Sequence, residues 1–186
     1  MIIPRLLLFD NDGYLFTGVL PFLGPAGVVV AAVVVHSTGH FFSYIFSATL
    51  RYMAEELIIR TKKEREVLDI TQQVQALLVE NSFRKGVCHL FLLHTSAAIA
   101  TADLDEGTDL DMLDAFELVV PALKYRHKHN PEHVKYHILV SLIGPSLTVP
   151  VENGELVLGA WQKIVLIEFG GPRERNIVVS FSAVVE

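Results

Sequence analysis

The dipeptide Asn153-Gly154, set between the runs Leu147–Val151 and Glu155–Leu158, constrains the fold more than any other stretch of this chain. A two-residue connection with positive φ at both positions matches the twist of paired antiparallel strands, and Asn followed by Gly adopts it at little steric cost. The chain around it is punctuated in the same way. Gly170-Gly171-Pro172 separates the apolar runs Lys163–Phe169 and Asn176–Val184, and Lys62-Lys63-Glu64 is a polar turn between Glu55–Arg60 and Arg65–Ile70, which read together as a hairpin. Val87–Leu93 is apolar enough for a central strand and carries His94 at its end. Val134–Ile143 reads as a second long strand, with His137, Leu139, Ser141 and Ile143 on one face.

Two helices interrupt these strands. Asp69 or Thr71 caps one that runs to about Asn81, with Val74, Leu77 and Leu78 as its apolar stripe. The other starts at Asp109 or Leu110, with Asp109 as N-cap, and runs to Val120 before Pro121; Leu113, Phe116 and Val120 face inward. About seven strands grouped in runs, with two helices that do not alternate with them, predict an α+β fold with a mostly antiparallel sheet.

The first 52 residues differ from the rest, because residues 13–50 contain no Asp, Glu, Lys or Arg. A transmembrane helix there is broken early by Gly18, Pro21, Gly24, Pro25 and Gly27, and a signal peptide lacks its basic start and cleavage site. The abrupt change predicts that 1–52 is a hydrophobic extension, that translation starts at Met53, and that the domain occupies 53–186. Membrane association is then expected only if residues 1–52 are expressed.

The net charge of −6 and the lack of a basic stripe argue against a nucleic-acid partner. One cysteine, Cys88, excludes an intrachain disulfide and a thiolate metal cluster, which fits a cytoplasmic protein. Neither a phosphate-cradling glycine loop nor a dinucleotide fingerprint is present.

The side chains with chemistry lie between Leu90 and Gly144. His94, His127 and His137 come from separate segments, and three imidazoles are a sufficient ligand set for Zn²⁺ or another divalent transition metal with one open position, although no HExxH or HxH pattern fixes that geometry. Partly exposed, hydrogen-bonded histidines are the competing reading, and it is preferred for His89, His129 and His133. The acidic run Asp103-x-Asp105-x-Gly107-x-Asp109-x-Asp111 lacks the glycine and glutamate of a calcium loop. Its carboxylates fit a helix entry, and Asp105 or Asp109 can hold Mg²⁺ against a diphosphate. Ser96 has no nucleophile elbow around it. Trp161-Gln162 reads either as core with a satisfied amide or as a pocket wall with one directional donor.

His94-Thr95-Ser96-Ala97-Ala98, Asp105-x-Gly107-Thr108-Asp109, Tyr125-x-His127, His137 followed by Ser141-Leu142-Ile143-Gly144, Val149-Pro150-Val151, Gly154, Leu158-Gly159-Ala160-Trp161-Gln162 and Glu168 together resemble the YjbQ-like family, over roughly Glu55–Val185. Members of that family are labelled in part as secondary thiamine-phosphate synthase. The resemblance implies an α+β homotrimer that joins a pyrimidine diphosphate to a thiazole phosphate. It places His94, His127 and His137 on the family's histidine positions, as metal ligands or catalytic groups. Thr95, Ser96, Asp105, Asp109, Trp161 and Gln162 are then expected to contact a small phosphorylated substrate. The chain departs from the family pattern at Ala160, where Thr is usual, and at Lys135, where many members carry histidine. The alternative is a trimeric protein that binds a metal or small anion, or a metal-assisted hydrolase of unknown substrate.

Overall fold

A computed structural model of the chain describes residues 5–9, 15–19, 28–36, 44–121, 123–128 and 131–185. They belong to two compact units, Met1–Met53 with Phe181–Glu186, and Ala54–Ser180. In the first unit, β1 (Arg5–Phe9), β2 (Leu15–Val19), β3 (Val28–His36) and the beginning of β4 (Tyr44–Arg60) pair in sequence as an antiparallel meander. The described part of the uncharged stretch 13–50 is therefore strand. Among the described residues no helix is long and apolar enough to cross a membrane.

The second unit continues from β4 through β5 (Glu66–Asp69), α1 (Thr71–Glu80), β6 (Gly86–Leu92), β7 (Ala97–Ala102), α2 (Thr108–Val119), α3 (Val134–Ile143), β8 (Ser146–Glu152), β9 (Glu155–Leu156), β10 (Lys163–Glu168) and β11 (Glu174–Val185). Its strands form two sheets, one in the order β4-β11-β6-β8-β9 and one in the order β5-β10-β7. The pairings of β10 with β5 and β7, of β6 with β8 and of β8 with β9 are antiparallel. The expected α+β class with antiparallel sheets is therefore what the chain adopts. Asn153 and Gly154 both take positive φ, at 57° and 87°, and close the β8–β9 hairpin. Gln75 of α1 ties this hairpin down, donating to the Gly154 carbonyl at 2.8 Å and accepting from the Leu156 amide at 3.1 Å.

Ile164, Val165, Leu166 and Ile167 are all fully buried, so β10 is covered on both faces. One face, carrying Val165 and Ile167, packs with Phe169 against Leu113 and Val120 from the α2 segment and Tyr136, Leu139 and Val140 of α3. Glu168 lies on the other face with Ile164 and Leu166.

Four expectations are corrected. Val134–Ile143 is a helix, not a strand: Tyr136, Leu139 and Val140 are the buried positions, at i, i+3 and i+4 spacing, and Gly144 at φ 113° ends it. Ala97–Ala102 is an additional strand. The segments flanking Lys62-Lys63-Glu64 do not pair as a hairpin, because β4 and β5 belong to different sheets. The Lys63 amide donates instead to Glu66 Oε1 at 3.1 Å, and the Thr61 amide to the Arg173 carbonyl at 2.9 Å. Asp109 is not the cap of α2: Gly107, at φ 90°, holds that position, and Asp109 and Asp111 sit in the first turn, where their charge favours the helix dipole.

Candidate functional site

The end of β6 and the His137–Ser141 stretch of α3 bound a cleft of about 580 Å³. His94, Thr95, His137 and Ser141 supply its polar groups; Phe91, Leu92, Leu93, Val140 and Pro145 supply its apolar wall. His94 lies two residues past the end of β6, and the backbone around it is tied to β11 by the Leu93 amide donating to the Asn176 carbonyl at 2.9 Å. The Asn176 amide in turn donates to His94 Nε2 at 2.9 Å. His137 lies in the first half of α3 with its Nδ1 at 2.7 Å from the Thr95 carbonyl oxygen. Ser141 donates back to the His137 carbonyl at 2.8 Å, one helical turn away. The His127 ring stands edge-on to that of His137, with centroids 5.9 Å apart. The three histidines named from the sequence are thus drawn toward one cleft, two as lining and the third beside His137.

Burial, and then the positive charge of Arg175, hold His94 below the ordinary imidazole range. Beneath the turn lies an ion pair that sequence reasoning missed. Arg175 and Glu168 are 1% and 0% exposed. Arg175 donates Nε–H to Glu168 Oε2 at 2.6 Å and a second N–H to Oε1, a bidentate pairing, while its terminal nitrogen also donates to Ser96 Oγ at 3.1 Å. The Gly170 amide and the Thr61 hydroxyl complete the carboxylate's partners at 2.8 and 3.1 Å. In the sequence Arg175 falls just outside the apolar run Asn176–Val184, which hid the pair. The available signal was the alternation of β11: counting back by two from buried Phe181, Val179 and Ile177 puts Arg175 on the buried face.

Other expected residues stand apart from the cleft lining. Asp105 is exposed and accepts the Thr108 amide through its carbonyl at 2.9 Å, and Asp109 is half-buried at the entry to α2. Trp161 is 69% exposed, and Gln162 closes its own turn, its Oε1 accepting the Gly159 amide at 2.8 Å. Ser96 is held by Arg175 rather than by a histidine. Cys88 is buried and its thiol pushed up to about 12, which makes it an inert core residue. Lys135 donates to Glu117 at 2.7 Å; the pairing raises the lysine and lowers the carboxylate. His89 pairs with Thr148 at 2.8 Å, and His133 stands 5.7 Å from Tyr136, ring to ring. His129 lies outside the described residues.

Each of His94 and His137 uses one ring nitrogen on the backbone, and among the described residues no group of three His, Cys, Asp or Glu side chains is placed to hold an ion.

The family profile described as UPF0047 protein YjbQ-like matches residues 55–184. The chain belongs to that family. UPF0047 relatives include a protein of Archaeoglobus fulgidus, 38% identical over 125 residues, covering 67% of this chain and 97% of that protein. YugU of Bacillus subtilis is 37% identical over 128 residues, covering 68% of this chain and 97% of its own length. Among solved structures, a YbjQ-like protein of unknown function from Sulfolobus solfataricus P2 is 29% identical with a TM-score of 0.68, covering 72% of this chain and 99% of that one. A YjbQ/UPF0047 protein of Clostridium acetobutylicum is 32% identical with a TM-score of 0.61, covering 70% and 99%. These UPF0047 relatives carry no stated reaction in their names.

Proposed function

We propose that this UPF0047 protein acts on small phosphorylated heteroaromatic molecules in the histidine cleft, with the thiamine-phosphate synthase reaction as its chemistry. The observation that carries the reading is the pairing of His94 and His137, with Thr95 and Ser141, in one cleft whose other lining residues are apolar. In that reaction the thiazole ring nitrogen attacks the methylene carbon of the pyrimidine diphosphate. A C–N bond forms, the C–O bond breaks, and diphosphate leaves with the electron pair. The apolar wall receives the ring, His94 donates to an oxygen on which charge accumulates, and His137 accepts from the protonated oxygen of the same group. Mg²⁺ enters, in this reading, on the substrate's diphosphate, and the family's homotrimer is the expected assembly. Leu93, Leu142 and Trp161 are exposed, and large apolar side chains open to solvent are the kind of surface a neighbouring copy covers.

Incubation of the full chain with both thiamine precursors tests this. Thiamine phosphate and diphosphate are expected in equal amounts, with His94→Ala and His137→Ala each slowing their release by about 100-fold or more. Undiminished turnover in both variants removes the cleft from the mechanism.

A second reading, a trimer that binds a metal or small anion without turnover, is favoured by His137, whose Nδ1 is taken up by the Thr95 carbonyl while the ring of His127 stands beside its own. A neighbouring copy then completes the ligand set. Metal analysis after purification without chelator decides it: about one equivalent of a transition metal such as Zn²⁺ per site supports it, and clearly less than one rejects the metal form.

A further inference from the structure

The hydrogen bonds around the cleft determine which atom each histidine offers to a ligand. A backbone amide can only donate, so the Asn176 N–H pointing at His94 Nε2 requires that nitrogen to be bare, and the proton of the neutral ring sits on Nδ1. A backbone carbonyl can only accept, so His137 Nδ1 at 2.7 Å from the Thr95 oxygen must carry its proton, leaving Nε2 bare. Both rings are therefore Nδ1–H tautomers, the form less populated by free histidine in water. Their free atoms are opposite in kind: His94 has an N–H left over and His137 a lone pair.

Both backbone partners are fixed by one buried device. Arg175 precedes Asn176, whose amide sets His94. Its terminal nitrogen reaches Ser96, which follows Thr95, whose carbonyl sets His137. The Ser96 carbonyl accepts the Phe169 amide at 3.1 Å, and Phe169 follows Glu168, the partner of Arg175. Turn, β10 and the start of β11 thus meet at a single guanidinium–carboxylate pair. Its geometry is bidentate, so lysine cannot reproduce it.

We propose that Arg175 is a positioning residue which, through Glu168 and Ser96, holds the His94–Ser96 turn so that His94 presents a donor and His137 a lone pair to the cleft. The ligand such a pair selects carries an acceptor oxygen and a proton on one group, as a monoprotonated phosphate or diphosphate does. That selection rests on the function proposed above; the tautomers do not.

Nitrogen-15 NMR of the imidazoles, on the full chain with both rings neutral, tests the proposal. In the unaltered protein both His94 and His137 are expected to show a protonated Nδ1 and a bare Nε2; a protonated Nε2 in either overturns it. In Glu168→Gln, and more weakly in Ser96→Ala, the His94 resonances are expected to move toward the averaged positions of a freely exchanging ring. Unchanged His94 resonances in a folded Glu168→Gln protein overturn the role of Arg175. Should that variant fail to fold, Ser96→Ala decides in the same way, because it removes one hydroxyl and leaves the ion pair intact. Absence of thiamine phosphate synthesis bears on the proposed function alone.

Discussion

Glu168 and Arg175 together carry five described hydrogen bonds within a region closed to water. Removing one partner of such a pair strands the other charge, so Glu168→Ala is expected to lower unfolding free energy by about 3–5 kcal/mol, measured by urea denaturation. A second residue-scale effect concerns His94, which faces Arg175, Glu168 and Arg173 and whose pKa lies below its ordinary value of 6.5. The unfolded chain takes up this proton first as pH falls. The stability contributed by the neutral ring is thus fully present above about 6.5 and is lost as pH falls through the folded value. His94→Gln is expected to flatten the decline in stability on the acid side of neutrality; an unchanged pH profile contradicts the assignment. The histidines themselves were legible in the sequence, since few other residues combine polarity with that spacing. Their hydrogen-bonding partners were not, because three of the decisive groups are backbone atoms of Asn176, Thr95 and Phe169, whose side chains carry no signal.

Elements were legible where one physical signal dominated. The Asn153-Gly154 hairpin followed from two positions requiring positive φ, and α1 from apolar residues at helical spacing ahead of a polar stop. In α2 the inward residues were read correctly while the cap was not, since a left-handed glycine displaced the aspartate. The strand β7 was hidden by alanine, a weak strand former, and is held by its place beside β10. Val134–Ile143 satisfied both periods at once: alternation put Leu139 with His137, and the helical repeat put it with Tyr136 and Val140. Tertiary packing on Phe169 and β10 settled the matter. That packing gives a prediction. Leu139, 2% exposed, is expected to cost about 2–5 kcal/mol when replaced by Ala, and the loosened helix should broaden the His137 resonances; a cost under about 1 kcal/mol contradicts the helical face assigned to α3.

On the scale of the molecule, the unit Ala54–Ser180 places two imidazoles against an apolar wall by means of one buried ion pair, and the family match covers the same stretch of chain. The fold class was legible because strands in runs leave few alternatives to an antiparallel α+β arrangement. The cleft of His94 and His137, with His127 at its side, is the proposed seat of a phosphorylated ligand. Titration of the full chain with inorganic pyrophosphate, followed by the imidazole resonances, tests it most directly. His94, His127 and His137 are expected to shift together along one saturable curve while His89 and His133 stay in place. Movement of His89 or His133 instead, or no saturable shift at any of the three, contradicts it.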